Sequence, residues 1–183
     1  MESTQKKLST RELCYIGIFA AIIAVCAQIT IPQPGGVPFT LQAWAVALAG
    51  LILGPKRGTM SVLVYILLGA AGAPVFAGFS GGFGIIMRPT GGFILSFPIM
   101  ALLAGLGEKK GGFIWPLVGL AAGTIINWGL GMLFFSWTTE HSLQASFGFA
   151  VAPFILVGIV RTAVLPFVSK SIKTVLMKAK VAI

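Results

Sequence analysis

The chain has 183 residues, 57% of them hydrophobic and only 9% charged, with a mean hydropathy of +0.99; soluble domains carry about a quarter charged residues, which excludes an ordinary water-soluble enzyme. A net charge of +9 does not point to nucleic acid, because the Lys and Arg residues fall between hydrophobic runs instead of gathering on one solvated face. The composition predicts an all-α polytopic membrane protein, one small bundle whose spanning segments each satisfy their own backbone hydrogen bonds.

Hydropathy along the chain predicts six spans, at about 13–31, 37–54, 59–77, 90–106, 112–136 and 149–169. Lys6, Lys7 and Arg11 precede the first span. The stretch "VCAQITIPQPGG" that ends it has no small-residue cleavage site, so it reads as a true span and not as a secretory signal. Its two cysteines, Cys14 and Cys26, are ~18 Å apart on a helix, too far for a disulfide, and read as packing residues. Ala20 and Ala24 in "AAIIA" have the small-xxx-small spacing of helix contacts.

The first connection, "ITIPQPGGVPFTLQAW", carries three prolines that stiffen an irregular path and ends with Thr40 and Gln42 at the mouth of span two. Spans two and three are joined by "GPKRGT", which superficially resembles a phosphate loop but lacks the G-x-x-x-x-G-K-[ST] spacing that aims amides and a lysine at phosphates. The next connection, "GAPVFAGFSGGFGIIMRPTGGF", is rich in glycine, and its "GFSGGFG" lacks the strand before it and the acidic residue after it that a dinucleotide fingerprint needs. Gly81, Gly82, Gly91 and Gly92 either let the backbone approach a ligand or relieve crowding between helices; for a single glycine the two readings are equal, and for the loop as a whole ligand binding is the expectation. Arg88 and Thr90 flank Pro89 at the expected start of span four, where free amides would face a polar ligand.

Lys56 and Arg57, Lys109 and Lys110, and the group Lys170, Lys173, Lys178 and Lys180 mark alternate connections as cytoplasmic, against one strong base, Arg88, in the others. Both termini are therefore expected in the cytoplasm, and the C-terminal "SKSIKTVLMKAKVAI" is expected as a short helix on the inner surface.

Two polar residues sit alone in apolar runs. Asn127 in "AAGTIINWGLGM" either hydrogen-bonds a neighbouring helix, worth about 0.6 to 2 kcal/mol, or meets a ligand. Arg161 in "FILVGIVRTAVLPF" is ~13 Å from the basic flank that starts at Lys170, so reaching the inner surface is a strain. At mid-membrane an arginine costs about 2.5 to 3.5 kcal/mol on insertion scales, and no acid is in reach to offset it. A bound anion would offset it; backbone carbonyls are the bland alternative.

The chain shows no energy source of its own. Its four acids, Glu2, Glu12, Glu108 and Glu140, lie at span ends or in connections, there is no aspartate, and the single histidine, His141, is in a connection. A proton relay is not expected, although sodium coupling through backbone carbonyls stays open. No paired carboxylates, Cys/His cluster or Ser/His/Asp set exists for catalysis or a metal. The residues predict a non-enzymatic binding subunit that borrows its energy and binds no cofactor itself.

"VPFTLQ" at 37–42, "YILLGAAGAPVFAG" at 65–78 and "RPTGGF" at 88–93 resemble, in order and spacing over essentially the whole chain, the signature stretches of the BioY family, the biotin-binding S components of energy-coupling-factor transporters. The resemblance implies one integral membrane domain over residues 1–183 in the plasma membrane of a prokaryote. It implies a biotin site open to the outside, and import driven by ATP on two ATPase subunits through a transmembrane coupling subunit. Docking on that subunit would use Ala20 and Ala24. The resemblance implies biotin contacts among Arg161, Asn127, Thr40, Gln42, Gly81, Gly82, Arg88, Thr90, Gly91 and Gly92, with the valerate carboxylate on Arg161. Where the family's last span carries Pro-Gly-Asp and then Lys three residues on, this chain has Leu156, Val157, Gly158 and then Arg161; "GPTGGY" is here "RPTGGF". An S component for another anionic vitamin and an ATP-independent pore or facilitator are the alternatives.

Overall fold

A Ser9 and Glu12 capping box opens the first helix, α1 (Thr10–Gln28): the Glu12 amide donates to Ser9 Oγ at 3.3 Å and the Ser9 amide to Glu12 Oε2 at 2.9 Å. That box starts the helix ahead of the apolar run by which hydropathy places it. The computed structural model describes residues 9–33 and 35–179. Glu2, Lys6, Lys7 and Lys180, used above for charge placement, lie outside the described residues. The described residues are mostly helical, with one pair of two-residue antiparallel strands among them, β1 (Thr30–Ile31) and β2 (Phe39–Thr40), in the register Thr30 to Thr40 and Ile31 to Phe39. β-branched Ile29, Thr30 and Ile31 end α1 by favouring extended backbone, and the strand pair folds the proline-rich connection back toward the next helix.

The run α2 (Gln42–Ala70) is two helices doubled back on each other. Gly54 breaks it with φ 79°, a conformation open to glycine, and Pro55 follows. The backbone of Ala49 and Gly50 lies within 3 Å of where a side chain on Gly58 would begin; residues eight or nine apart on one straight helix are ~12 Å apart or more. The second half stops at Ala70 and not near residue 77, because Gly72 turns the chain at φ 106° and Pro74 follows.

A four-residue turn of helix, α3 (Phe83–Ile86), precedes α4 (Gly91–Lys110), which ends at Gly111 with φ 76°. α5 (Ile114–Thr139) follows, then α6 (Leu143–Ala150), a short 3-10 turn at Ala152–Phe154, and α7 (Ile155–Lys178). The basic stretch after residue 169 does not begin a separate surface helix as expected: α7 continues into it without a break as far as Lys178, and Pro166 is accommodated inside. Five described helical runs are long and apolar enough to cross a membrane, with α6 and α7 counted as one run.

The core lies where α2, α4 and α5 meet, with α1 against α2. Ala20 is 3% exposed and belongs to that core, with Ala24 packed against it. Of the pair expected to dock a partner, Ala20 is therefore turned inward, while Ala24 is half-buried at the edge of that packing.

Candidate binding site

At the end of the bundle opposite Lys56, Lys110 and Lys170, the helices part around a cavity of about 350 Å³, walled by the connection before α2, the loop after it, and α2, α4, α5 and α7. This volume is at the lower end of the ~300–1,000 Å³ typical of small-molecule sites. Helical spacing decides what faces it. α5 presents Asn127 and Trp128 with Thr124 one turn earlier, and α7 presents Val157, Gly158 and Arg161, with Phe154 just ahead of its first turn, positions three and four apart that share a face. The indole of Trp128 fills the space that a side chain on Gly158 would need, so α7 comes close enough to α5 for Arg161 to reach Thr124.

Arg161 is 5% exposed, and one of its terminal nitrogens donates to Thr124 Oγ1 at 2.9 Å. Its Nε is buried, and among the described residues it has no partner and no carboxylate lines the cavity. A guanidinium with one neutral oxygen partner is under-served, because five N–H donors and a full charge are in a site from which water is largely removed. One further donor shares this condition: Trp44 Nε1 is buried with no hydrogen-bond partner among the described residues, and it lines the cavity, as does the buried Gln42, whose side chain neighbours the Tyr65 hydroxyl. Unpartnered buried donors cost about 1–3 kcal/mol each. The cavity thus presents N–H groups that a ligand rich in acceptor oxygens would satisfy.

Asn127 is different. Its Nδ2 donates to the Phe93 carbonyl at 2.9 Å and to Ser96 Oγ at 2.7 Å, so its donors are used in tying α5 to α4. It still lines the cavity, and its amide oxygen has no bond within the described residues.

Thr40 stands at the cavity edge in β2, and Arg88 and Thr90 reach the rim, Arg88 exposed. The expected glycines do not line the cavity. A side chain on Gly81 would strike the Ala73 carbonyl, on Gly91 the Ile86 carbonyl and on Gly92 the Phe134 side chain, while Gly82 turns the chain at φ 96° and its amide donates to the Gly69 carbonyl at 2.7 Å. They permit close packing behind the site. The amides expected to be free at the start of α4 are partly used: Gly91 N donates to the Arg88 carbonyl and Phe93 N to the Thr90 carbonyl.

Sequence reasoning missed Thr124, the aromatic wall of Trp44, Phe76, Phe97 and Trp128, and the donor on Trp44. A helical projection from Asn127 would have found Thr124 and Trp128 on the same face.

Comparison with known proteins gives concordant findings. The model of the BioY family matches residues 2–178. A probable biotin transporter BioY of Pyrococcus horikoshii is 43% identical over 157 residues, covering 85% of this chain and 92% of that protein. The biotin transporter BioY of Thermotoga maritima is 39% identical over 164 residues, covering 89% and 96%. Among solved structures, the S-component for biotin from an ECF-type ABC transporter superposes with a TM-score of 0.81 at 25% identity, over 95% of each chain.

Proposed function

As the chain belongs to the BioY family, we propose that it is a biotin-binding S component, which captures biotin at the outer face of the cell membrane and delivers it for ATP-driven import. It is a transporter component and not an enzyme. The whole chain acts as one membrane domain that binds no cofactor; ATP is used by two partner ATPase subunits linked through a transmembrane coupling subunit.

Six crossings follow if the two halves of α2 cross separately beside α1, α4, α5 and α7, which the doubling back at Gly54 supports. Lys56, Arg57, Lys109, Lys110, Lys170 and Lys173 then mark the cytoplasmic end, and both termini lie there. For docking, α1 offers Gly17 and Ala21, both exposed, in place of the pair that includes the buried Ala20. That substitution keeps the small-xxx-small spacing and moves it to the free face.

The observation that carries the ligand reading is Arg161, buried in the cavity with one neutral partner. Biotin joins an anionic carboxylate to a neutral ureido ring whose carbonyl accepts hydrogen bonds. The carboxylate supplies Arg161 with its counter-charge, the aromatic walls take the fused ring, and Gln42 and Trp44 donate to acceptor oxygens. Asn127, Thr40, Arg88 and Thr90 complete the lining, with Gly81, Gly82, Gly91 and Gly92 supporting it from behind.

Charge-assisted hydrogen bonds contribute about 1.5 to 3 kcal/mol, so Arg161→Ala should weaken biotin binding roughly ten- to a hundred-fold, and Arg161→Lys should retain part of it. Titration of the purified protein with biotin and with its uncharged methyl ester is the test; equal affinities would sink the carboxylate role. The absence of an acid at Leu156, Val157 and Gly158 favours one second reading, an S component for another anionic vitamin. A thermal-shift screen of vitamins separates the two by which compound raises the melting midpoint most.

A further inference from the structure

Gln28, the last residue of α1, is bonded to the loop that follows α2. Its Nε2 lies 3.2 Å from the Val75 carbonyl, 3.2 Å from the Phe76 carbonyl and 2.9 Å from the Ala24 carbonyl of its own helix. Its Oε1 accepts from the Phe79 amide at 2.8 Å. With the two N–H bonds of Nε2 shared among the three carbonyls, one side chain bridges to three backbone groups of a loop 47 to 51 residues away. Among uncharged long side chains only a primary amide does this, because the loop turns both carbonyls and an N–H toward α1. A carboxylate cannot donate, an ammonium cannot accept, and asparagine is one methylene shorter.

The loop needs such help. Phe79 is at φ 54°, a left-handed conformation that a side chain disfavours, next to Gly78 at φ 68°. Internally the loop has the Phe76 amide on the Ser80 carbonyl at 2.9 Å and Ser80 Oγ on the Ala77 carbonyl at 2.8 Å. Its product is the position of Phe76, which is 1% exposed, fills the space over Gly69 and meets Tyr65 edge to face with centroids 5.5 Å apart. Phe76, Ala77 and Ser80 are cavity wall. The wall on this side therefore depends on a residue of α1 that does not line the cavity.

We infer that Gln28 is a positioning residue of the binding site, a clamp that holds the 75–80 loop in its left-handed turn so that Phe76, Ala77 and Ser80 close one wall around the ligand. The inference deepens the biotin reading and rests on it for the identity of the ligand, but the clamp is a property of the ligand-free chain. Losing it frees the loop to sample conformations in which the wall is open, so the ligand leaves faster while the helices stay packed.

The test uses the full-length protein in detergent. Gln28→Met keeps the bulk and removes both hydrogen-bonding ends. It should accelerate hydrogen exchange of the segment holding the Phe79 amide, and weaken biotin binding about tenfold, mostly in the dissociation rate. Gly69→Ala is the independent variant, displacing the Phe76 ring without touching α1. It should weaken binding similarly, and the double variant should be little worse than either single one, because both open the same wall. Unchanged exchange at Phe79 in Gln28→Met overturns the clamp. Faster exchange with biotin affinity within about twofold of the parent overturns the positioning role. Additive losses in the double variant overturn the shared wall. If Gln28→Met does not fold, Gly69→Ala decides alone, with an unchanged dissociation rate counting against the proposal. If the parent protein fails to bind biotin while Gln28→Met still accelerates exchange, the ligand assignment falls and the clamp stands.

Discussion

At the basic end of the bundle the helices touch backbone to backbone, whereas at the other end they stand apart around a cavity of about 350 Å³. Gly50 lies against the Ala101 backbone, Gly105 against Pro55, Gly107 against Trp115 and Gly119 against the Leu103 carbonyl. Small residues at these points let α2, α4 and α5 approach so closely that van der Waals packing, the main force between helices in lipid, is large. Around the cavity itself the helices forgo such contacts, and the Arg161 Nε and Trp44 Nε1 donors have no partner among the described residues. One end is built for stability, while the other holds binding groups at a cost that a ligand removes.

The largest expected effect breaks the closed end. In Gly50→Val the new side chain would begin inside the Ala101 backbone, which cannot rotate away as a side chain can. The helices must separate, at about 3 kcal/mol or more. The expected outcome is loss of monodisperse protein on size exclusion, or a melting midpoint lowered well below that of the parent. A variant that melts with the parent would show that the close approach carries little of the stability.

The next effect should have two signs. Arg161→Met removes a buried cation that has one neutral partner and puts apolar volume in its place. The ligand-free protein should melt higher, by about 1 kcal/mol or more of stability, while biotin affinity falls at least about tenfold. Thermal melts with and without biotin check both signs. A ligand-free variant less stable than the parent would mean that Thr124 satisfies the guanidinium better than one bond suggests.

The two ends also differ in how far the sequence discloses them. α1, α4 and α5 fall close to their hydropathy windows, and the break between the second and third spans is legible as Gly54-Pro55 in a basic turn. Hydropathy is blind to backbone direction, so α6, which falls mostly in the connection expected between the spans at 112–136 and 149–169, and the 3-10 turn after it are not foreseen. In the site, Arg161, Asn127, Thr40 and Gln42 stand out because a polar group in an apolar run needs a reason. Trp44, Phe76 and Trp128 do not stand out, since an aromatic ring suits lipid and a cavity wall equally well. Glycine is harder still, because close packing and ligand approach both need the same missing side chain. Only the neighbour decides, and for Gly91 and Gly92 it is protein. Gln28 was illegible for another reason: its partners are backbone groups of a loop far along the chain.

The smallest effect sharpens the comparison from the basic end. Lys173 Nζ meets Glu108 Oε1 at 2.8 Å, joining the C-terminal part of α7 to the last turn of α4, and Lys170 Nζ donates to the Gly112 carbonyl at 3.1 Å. The Lys173–Glu108 pair is the charge-satisfied counterpart of Arg161, yet its side chains remain 28% and 14% exposed, so water screens it and ordering the lysine offsets part of the gain. Lys173→Met should lower stability by about 1 kcal/mol or less, and the difference should shrink as salt is raised. The upper part of that range is the more reasonable expectation, because Glu108 Oε2 is buried without a partner and the carboxylate would lose its one close cation. Glu108→Gln separates charge from contact: an amide can keep a hydrogen bond to Lys173 without the ion pair. Melting Lys173→Met and Glu108→Gln in low and high salt therefore asks whether a paired charge at the basic end stabilises the bundle as much as the unpaired one at the cavity end destabilises it. A salt-independent loss well above about 1 kcal/mol would make the pair a structural element on the scale of the glycine contacts.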